Sequence, residues 1–596
     1  MSDYKVPLRD IAFSMNEVND YGSHYLSYGG EIADSPELVV PIIEEVAKFV
    51  ERVLAPINAS GDREGAQWRD GQVTLPAGFK EARQQFVDAG WPSLMHPKEH
   101  GGQGVPSSLG IILGEFYQAA NSAWCMTGLG SGVASTLINM GSEHQQQCYL
   151  PALVSGQWTG TMSLTESHCG SDLGLMRTRA EPQPDGSYRI SGSKIFISSG
   201  DHDLSDNIIH MVLARLPDAP EGIRGISLFL VPKRAVNDDG SLGDFNNVSC
   251  GSIEHKMGLH ASATCVMNFD GAVGELVGSA NKGLLGMFIM INQSRLGVGI
   301  TGVAQSEACY QSALHYAQDR LQGRALTGPR NPELAADPII VHLDVRRMLL
   351  TQKAFAEGGR VFIHYCLKYM DMANSDNAEV RDNADNMLAL LTPIAKACLS
   401  EWGFEAADLA IQVLGGHGYV REWGVEQRLR DVRVARIYEG TNGIQALDLL
   451  GRKVLGPQRG ALQAFIEEIT EFCDHHADIS ELAGFLARLR EHALLWREAT
   501  DDISAKASTD PDVIGAAAFD YLMFSGYTTL AYMWVKAAVV AVQKLANSED
   551  EGAFYRGKIN TCRFYFDRLL PRARGHLEVV KNGGESLMAA DSDSFA

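Results

Sequence analysis

The sequence predicts a multidomain α+β protein, because the period of its apolar residues changes twice along 596 positions. Residues 37–160 carry apolar side chains at helical spacing, residues 161–278 alternate apolar and polar positions, and residues 279–596 return to the helical period. A chain of this length can bury several separate cores. We therefore expect an α domain, a β domain and further α domains in this order.

Each predicted domain starts where the composition or the period changes. Residues 1–36 precede the first helical pattern and are predicted to form an N-terminal arm. The β domain contains strand-like segments separated by Asp, Gly and Pro, which indicate a small barrel or sandwich: 188–197, 207–213, 225–231 and 264–269. Gly456 and Pro457 separate the helices of 279–455 from an additional helical domain, 456–596.

The composition excludes several classes of function. A net charge of −22 argues against a nucleic-acid partner, which needs a basic surface. Ten cysteines without C-x-x-C spacing indicate free thiols, and an N-terminus without an apolar signal region leads us to expect a cytoplasmic protein.

The run from Thr528 to Val542 contains Lys536 and predicts a buried helix, so membrane contact is not favoured. Cys473 to His476 has no second cluster to complete a metal site, and no metal is expected.

The carboxylate of Glu439 is the first candidate for chemistry. The charged segment before it, Leu429 to Arg433, is predicted to be extended, and apolar residues after it recur at helical spacing. Gly440 permits close approach of a ligand, and Thr441 can cap the new helix. A carboxylate presented by such a loop can serve as a general base. The alternative is an acid that only stabilises a helix N-terminus.

Three other segments have residues suited to a flavin. Met162 to Asp172 offers hydroxyls and glycine backbone, although a capped turn is the alternative. On a strand, Phe196 and Ser198 face the same side, where one could stack on a ring and the other donate a hydrogen bond. The glycines of 415–419 end a helix and expose backbone donors. His417 among them is predicted to have a structural role rather than that of a base.

Together these segments resemble the acyl-CoA dehydrogenase family from about residue 40 to 455. The resemblance rests on four stretches in the family's order: Leu164 to Asp172, Lys256 to Leu259, Gly415 to Tyr419 and Tyr438 to Thr441. It implies an N-terminal helical domain, a central β-barrel or sandwich and a C-terminal four-helix bundle. The length, the start from Tyr4 to Asp10 and the extra helices are similar to the bacterial members of about 600 residues, which act on fatty acyl-CoA or 3-methylmercaptopropionyl-CoA.

The resemblance implies FAD-dependent α,β-dehydrogenation of an acyl-CoA to the trans-2-enoyl-CoA, as in the first step of fatty acid β-oxidation, with Glu439 as the base. It assigns FAD contacts to Met162, Leu164, Thr165, Ser171, Phe196, Ser198, Arg320, Gln412, Gly416, Thr441 and Gly443. It assigns substrate contacts to Ser171, Asn292, Arg295 and Gly440. Arg320 matches the pyrophosphate arginine, but the sequence after it departs from the family pattern, so Arg324 is an alternative.

The same resemblance implies partners and leaves alternatives open. It implies an electron-transfer flavoprotein as electron acceptor and a homodimer that shares the FAD site across its interface. We expect a medium-to-long acyl chain, with 3-methylmercaptopropionyl-CoA as the alternative substrate. An acyl-CoA oxidase on the same fold and a non-catalytic acyl-CoA-binding protein are the alternatives to a dehydrogenase.

Overall fold

The computed structural model describes residues 4–127, 130–456, 460–546 and 551–595, apart from the side chains of residues 292 and 293. The chain divides into two compact units. One unit is Gly29–Ser294, and the other combines Met1–Tyr28 with Arg295–Ala596. Residues 4–28 therefore belong to the unit that holds the C-terminal helices.

The N-terminal arm is helical and packs within the second unit. It forms α1 (Leu8–Ala12), a π-helical turn (Phe13–Val18) and α2 (Tyr21–Tyr28). The Ser14 hydroxyl is 2.8 Å from His364 Nδ1, and the Tyr21 hydroxyl donates to the His364 carbonyl oxygen at 2.8 Å. These buried bonds hold the arm against α10 at Ser14 and Tyr21.

The first unit begins with the predicted helical segment. Its helices are α3 (Val39–Phe49), α4 (Asn58–Glu64), α5 (Phe79–Asp88), α6 (Ser107–Cys125), α7 (Ser131–Met140) and α8 (Glu143–Val154). A hairpin of β1 (Gln67–Arg69) and β2 (Gln72–Thr74), which the sequence did not predict, interrupts them. Helix α8 starts at a capping box, in which Ser142 and Gln145 satisfy each other's backbone N–H groups.

Five of the β strands that follow in this unit close into a barrel, one of the two forms expected. The strands are β3 (Thr159–Ser163), β4 (Arg179–Pro182), β5 (Tyr188–Ser198), β6 (Ile208–Arg215), β7 (Ile226–Pro232), β8 (Arg234–Val236), β9 (Leu242–Phe245), β10 (Val248–Ile253) and β11 (Thr264–Val277). Of these, β8 and β9 form a separate two-stranded sheet. Strand β11 pairs with β5 and β7, and β6 pairs with β4 and β7, so the pairs β5–β4 and β6–β7 complete a ring.

Strand β6 contributes to two buried cores. All of its residues except Arg215 are buried, and successive side chains point to opposite faces. Val212 and Ala214 join the core inside the barrel, whereas Met211 and Leu213 join a second core formed with α7 and α8. A strand buried on both faces reads as a continuous apolar run, as 208–214 does apart from its one histidine.

The helices after the barrel form a bundle. They are α9 (Gly283–Asp319), α10 (Leu343–Met372), α11 (Ala378–Leu414), α12 (Val425–Val432) and α13 (Asn442–Leu447). Helices α9 and α11 approach closely because Gly302 faces Gly403, and a Cβ on Gly403 would lie 2.6 Å from the Gly302 Cα. Helix α9 is long and apolar enough to cross a membrane by length and composition alone. Half of its most apolar window is buried, which is typical of a core helix of a bundle.

One local prediction in this region is wrong. The segment Leu429 to Arg433, predicted to be extended, is the end of α12 and the start of a 3₁₀ turn, Arg433–Arg436. Val425, Leu429 and Val432 recur at helical spacing and pack into or against the bundle core.

The additional helical domain continues the second unit. Its helices are α14 (Gly460–His475), α15 (Ala483–Ala507), α16 (Asp512–Leu545), α17 (Gly552–Phe564), α18 (Arg572–Lys581) and α19 (Glu585–Met588). Helix α16 is buried from Tyr521 to Val535, and it contacts α15, α17, α18 and the bundle helices α10 and α11. The segment 528–542 is therefore part of a buried helix, as its sequence predicted.

Candidate active site

Glu439 lies in a short loop between the turn Arg433–Arg436 and α13. Its backbone φ is +58°, a left-handed conformation that few residues other than glycine adopt, and φ of the following Gly440 is +85°. The Thr441 hydroxyl accepts from the Ile444 N–H at 3.3 Å and caps α13, as the sequence predicted. A left-handed glutamate costs about 1 kcal/mol or more and persists only where its surroundings enforce it.

Side chains hold this loop by its carbonyl oxygens. Gln445 Nε2 donates to the Glu439 carbonyl oxygen at 2.9 Å. The Lys396 ammonium of α11 donates to the Gly440 carbonyl oxygen at 2.8 Å and to Asn442 Oδ1 at 2.9 Å. Asn442 in turn donates to Glu401 at 2.8 Å. The conformation of the loop is thus fixed from two sides.

The surroundings of Glu439 bring its pKa close to neutral pH. Burial raises the pKa of Glu439 from 4.5 to about 7, although the positive charges of Arg295 and Lys396 oppose this rise. Burial also lowers the pKa of Lys396 to about 8, against the attraction of Glu439. A carboxylate with a pKa near the working pH is well suited to accept a proton in a reaction.

Arg295 of α9 lies close enough to influence Glu439, as predicted. One of its guanidinium nitrogens is 3.5 Å from an Asp448 oxygen. Its Nε is buried and has no hydrogen-bond partner within the described part of the chain. The predicted contact Asn292 lies outside the described side chains.

The two flavin segments predicted for the first unit meet each other. The Lys194 ammonium of β5 donates to the Leu164 carbonyl oxygen at 2.9 Å, and the Ile195 N–H donates to the Thr165 carbonyl oxygen at 2.9 Å. Met162, Leu164 and Thr165 are partly exposed, and Ser171 is exposed. The sequence separated these segments by about 30 positions, and the barrel brings them together.

Glu166 organises this junction, which sequence reasoning did not anticipate. Its carboxylate accepts from the Arg177 N–H at 2.8 Å, from the Thr178 N–H at 3.0 Å and hydroxyl at 2.6 Å, and from Lys194 at 3.0 Å. Burial alone would raise the pKa of Glu166, but Lys194 and these donors lower it to about 2. His168 and Cys169 place ligand atoms within 4.8 Å of this carboxylate, yet its oxygens are already engaged by the protein.

Phe196 and Ser198 lie on the same side of β5, as predicted. Both are exposed, while Ile197 between them is buried. The pairing of β5 with β11 is irregular next to Phe196, whose φ is +59° and whose side chain is 60% exposed. An apolar ring held in a strained backbone and left uncovered is a surface ready to pack against a ligand.

The structure distinguishes the two candidate arginines of the second unit. Arg324 donates to the carbonyl oxygens of Asn331 and Leu334 and to Asp337, so its guanidinium is engaged in its own loop. Arg320 is exposed, and its guanidinium has no acceptor among the described residues. Of the two, Arg320 is the side chain available to an anionic ligand.

The glycine turn after α11 is open, as expected for a backbone donor site. Gly415 has a φ of +60°, and a Cβ on Gly415 or Gly416 would meet no atom within 4 Å. Gln412 and Gly443 are exposed. His417 bonds to the Tyr316 hydroxyl at 2.9 Å and stacks on Trp423 with ring centroids 4.5 Å apart. This histidine therefore has the structural role that the sequence favoured.

Comparison with known proteins decides the family. Three family models match in succession: "Acyl-CoA dehydrogenase, N-terminal domain" over residues 40–157, "Acyl-CoA dehydrogenase, middle domain" over 161–272 and "Acyl-CoA dehydrogenase, C-terminal domain" over 281–455. A fourth, "Acetyl-CoA dehydrogenase C-terminal like", matches residues 465–591. The chain belongs to the acyl-CoA dehydrogenase family.

Individual relatives place it among the members of similar length. It is 40% identical over 590 residues to the 3-methylmercaptopropionyl-CoA dehydrogenase of Ruegeria pomeroyi, covering 98% of this chain and 99% of the relative. It is 34% identical over 623 residues to the broad-specificity linear acyl-CoA dehydrogenase FadE5 of Mycobacterium tuberculosis, covering the whole of both chains. The structure of Caenorhabditis elegans ACDH-11 with C11-CoA shares the fold, with a TM-score of 0.77 at 18% identity over 98% and 97% of the two chains.

The cofactor of this acyl-CoA dehydrogenase is FAD, and each unit, taken by itself, has groups of the kind that a flavin nucleotide requires. The first unit offers the uncovered Phe196 ring and the neighbouring Ser198 hydroxyl. The second unit offers Arg320 without an acceptor among the described residues and the open glycines 415 and 416. An aromatic face, a free guanidinium and exposed backbone are the groups that a flavin ring and its pyrophosphate require.

Proposed function

We propose that this dehydrogenase removes the α-proton and a β-hydride from an acyl-CoA thioester and forms the trans-2-enoyl-CoA, with Glu439 as the base. The observation that carries the proposal is the state of this carboxylate. It is partly buried, burial raises its pKa to about 7, and its backbone is held in a left-handed conformation by Gln445 and Lys396. A carboxylate that served only to cap a helix would need none of these features.

Glu439 contributes two groups to the reaction. Its carboxylate accepts the α-proton, and its backbone N–H donates to the thioester oxygen, where negative charge develops. This N–H makes no hydrogen bond to another described residue, so it is available to the substrate. FAD, when bound, supplies the acceptor for the β-hydride. Arg295 and Lys396 place positive charge near the base and favour its deprotonated form before substrate binds.

We propose an unbranched acyl group of medium or greater length as the substrate. Full-length similarity to a broad-specificity linear acyl-CoA dehydrogenase supports this class. The second candidate is 3-methylmercaptopropionyl-CoA, which the 40% identical relative is named for. The two candidates share a linear chain, since the thioether sulfur takes the place of one methylene group.

The same proposal includes the partners and the location. We propose a homodimer that shares FAD across its interface, electron transfer to an electron-transfer flavoprotein, a role in fatty acid β-oxidation, and a cytoplasmic location. The exposed Tyr419, with 85% of its surface accessible, and Leu326, with 100%, lie on the segments assigned to the shared cofactor and support such an interface. Light scattering of the purified flavoprotein measures its oligomeric state.

Anaerobic titration tests the reaction. Straight-chain acyl-CoAs of graded length and 3-methylmercaptopropionyl-CoA are added to the FAD-loaded protein, and the flavin absorbance is followed. Bleaching by the wild type but not by Glu439→Gln supports dehydrogenation, and the most effective thioester identifies the substrate class. A flavin that none of these thioesters bleaches would contradict the proposal. Rapid reoxidation of the bleached flavin by air would indicate an oxidase.

A further inference from the structure

Lys396 is a buried cation whose hydrogen bonds all go to neutral groups. It lies in an apolar part of α11, and none of its surface is accessible. Its ammonium bonds to the Gly440 carbonyl oxygen and to Asn442 Oδ1, and no carboxylate of the described chain lies within 4 Å of it. A buried ammonium without a bonded carboxylate is costly, so its presence calls for a function.

The positions of its two acceptors indicate that function. The two acceptors belong to Gly440 and Asn442, one and three positions after Glu439 in the chain. Gln445 holds the carbonyl of Glu439 itself. Because the carbonyls of Glu439 and Gly440 are both bonded, rotation of these peptide groups would break a buried hydrogen bond. The left-handed backbone of Glu439 is thereby maintained.

We propose that Lys396 is a positioning residue for proton abstraction, which holds the base loop through the Gly440 carbonyl and the Asn442 side chain. This inference rests on the proposed function of Glu439. Lys396 also contributes its positive charge, which favours the deprotonated carboxylate. Among the described residues of this unit, Arg295 on α9 also acts on Glu439, and Glu401 on α11 acts on Lys396. Arg295 and Glu401 are themselves paired, with Asp448 and Arg436 respectively.

Three substitutions distinguish the effect of the hydrogen bonds of Lys396 from the effect of its charge. Lys396→Met removes both the donor and the charge, Lys396→Gln keeps a donor without the charge, and Lys396→Arg keeps the charge. We expect Lys396→Met to lower kcat by about 10- to 100-fold, a loss comparable to impaired general base catalysis. In both neutral variants the acid limb of kcat/KM should move to higher pH by about one unit, because the positive charge that favours the carboxylate is lost. In Lys396→Arg, which keeps the charge, the acid limb should stay at the wild-type pH.

A second readout does not depend on turnover. Hydrogen–deuterium exchange of peptides covering 437–447 measures how firmly the loop is held. We expect faster exchange in Lys396→Met, and less change in Lys396→Gln if its amide reaches the Gly440 carbonyl. Gln445→Leu removes the other donor without changing the charge, so it should speed exchange and lower kcat while leaving the acid limb in place.

Lys536 provides the matched control. It is a partly buried lysine, and burial also lowers its pKa to about 8, but its ammonium lies over the rings of Tyr365 on α10 and Tyr532 on α16. Lys536→Met should leave the acid limb and the exchange of 437–447 unchanged. A folded, FAD-loaded Lys396→Met with wild-type pH dependence and wild-type loop exchange would overturn the inference. Failure of the wild type to bleach with any acyl-CoA contradicts the proposed function instead, and the exchange measurement still tests the role of Lys396.

Discussion

Asp10 and Lys558 are 548 positions apart in the chain and form a buried ion pair. Asp10 also pairs with Arg360 of α10, Arg360 pairs with Glu307 of α9 at 2.8 Å, and Lys558 pairs with Glu357 at 2.9 Å. This buried cluster joins the N-terminal arm, the bundle and the C-terminal helices. Through Asp10, the segment from Tyr4 to Asp10 is therefore tied to the other helices of the second unit.

The Asp10 cluster makes the stability of this unit dependent on pH. Burial alone would raise the pKa of Asp10, but Lys558 and Arg360 outweigh burial and hold the pKa well below its ordinary value. A carboxyl with a depressed pKa stabilises the fold above its unfolded pKa, and this contribution is lost as the pH falls below about 4. Asp10→Asn should therefore lower the free energy of unfolding by about 3 kcal/mol at neutral pH.

Urea denaturation at neutral and at acid pH measures this effect. The difference between Asp10→Asn and the wild type should be largest at neutral pH and should shrink as the pH falls. Asp376→Asn is the control, because Asp376 is exposed and makes no ion pair among the described residues. Equal stability of Asp10→Asn and the wild type at neutral pH would show that the cluster contributes nothing net.

Glu439 provides a prediction about the pH dependence of activity. The base must be deprotonated to accept a proton, so kcat/KM should rise with pH and level off above about 7, its pKa in the free protein. Glu439→Gln should lower kcat/KM by at least about 1,000-fold because no general base remains. Steady-state assays across this pH range measure both effects, with the exposed Glu422→Gln as control. A wild-type profile with its midpoint near 4.5 would exclude the desolvated base described here.

Glu166 provides a prediction about cofactor retention. Glu166→Gln leaves the buried Lys194 without its carboxylate and loosens the junction between 162–165 and 194–198. We expect a loss of about 2 kcal/mol in stability and weaker FAD retention. The stability contribution of Glu166 should also vanish in acid, since its depressed pKa of about 2 stabilises the fold only while the carboxyl is ionised.

Thermal unfolding and the FAD content after gel filtration test the role of Glu166. The double variant Glu166→Gln, Lys194→Met should recover part of the loss, because it leaves no unpaired charge. Glu181→Gln on the adjacent β4 is the control, since Glu181 is exposed. If Glu166→Gln retains FAD and unfolds like the wild type, the junction does not depend on this carboxylate.

Local pattern was sufficient for the fold and for much of the site. Strand-like segments bounded by turn residues predicted four of the five strands of the barrel, all but the short β4, and the spacing of Phe196 and Ser198 predicted their common face. Thr441 was predicted as a cap because capping depends on the next three residues only. These features are determined by residues close together in sequence, which a periodic pattern can report.

Features that depend on distant residues were not predictable in this way. Lys396 and Gly440 are 44 positions apart, and the pairing of Asp10 with Lys558 spans almost the whole chain. The one local signal was a lysine alone in the apolar stretch Ile394 to Leu399, which indicates a buried cation but does not identify its partner. The error at α12 has another cause, since its charged residues masked the helical spacing of Val425, Leu429 and Val432.

Arg320 and Arg324 provide a prediction that separates ligand binding from loop structure. Arg320 is free of acceptors within the described chain, so Arg320→Ala should weaken FAD binding by about 10- to 100-fold without changing the stability of the apoprotein. Arg324 holds the loop through the carbonyls of Asn331 and Leu334, so Arg324→Ala should destabilise the apoprotein itself. FAD titration of the apoproteins, followed by flavin fluorescence, and thermal unfolding without FAD measure the two effects. Because added salt screens an ion pair with a pyrophosphate, the difference between Arg320→Ala and the wild type should shrink as ionic strength rises. If Arg324→Ala alone weakened FAD binding while both apoproteins unfolded like the wild type, the pyrophosphate contact would belong to Arg324.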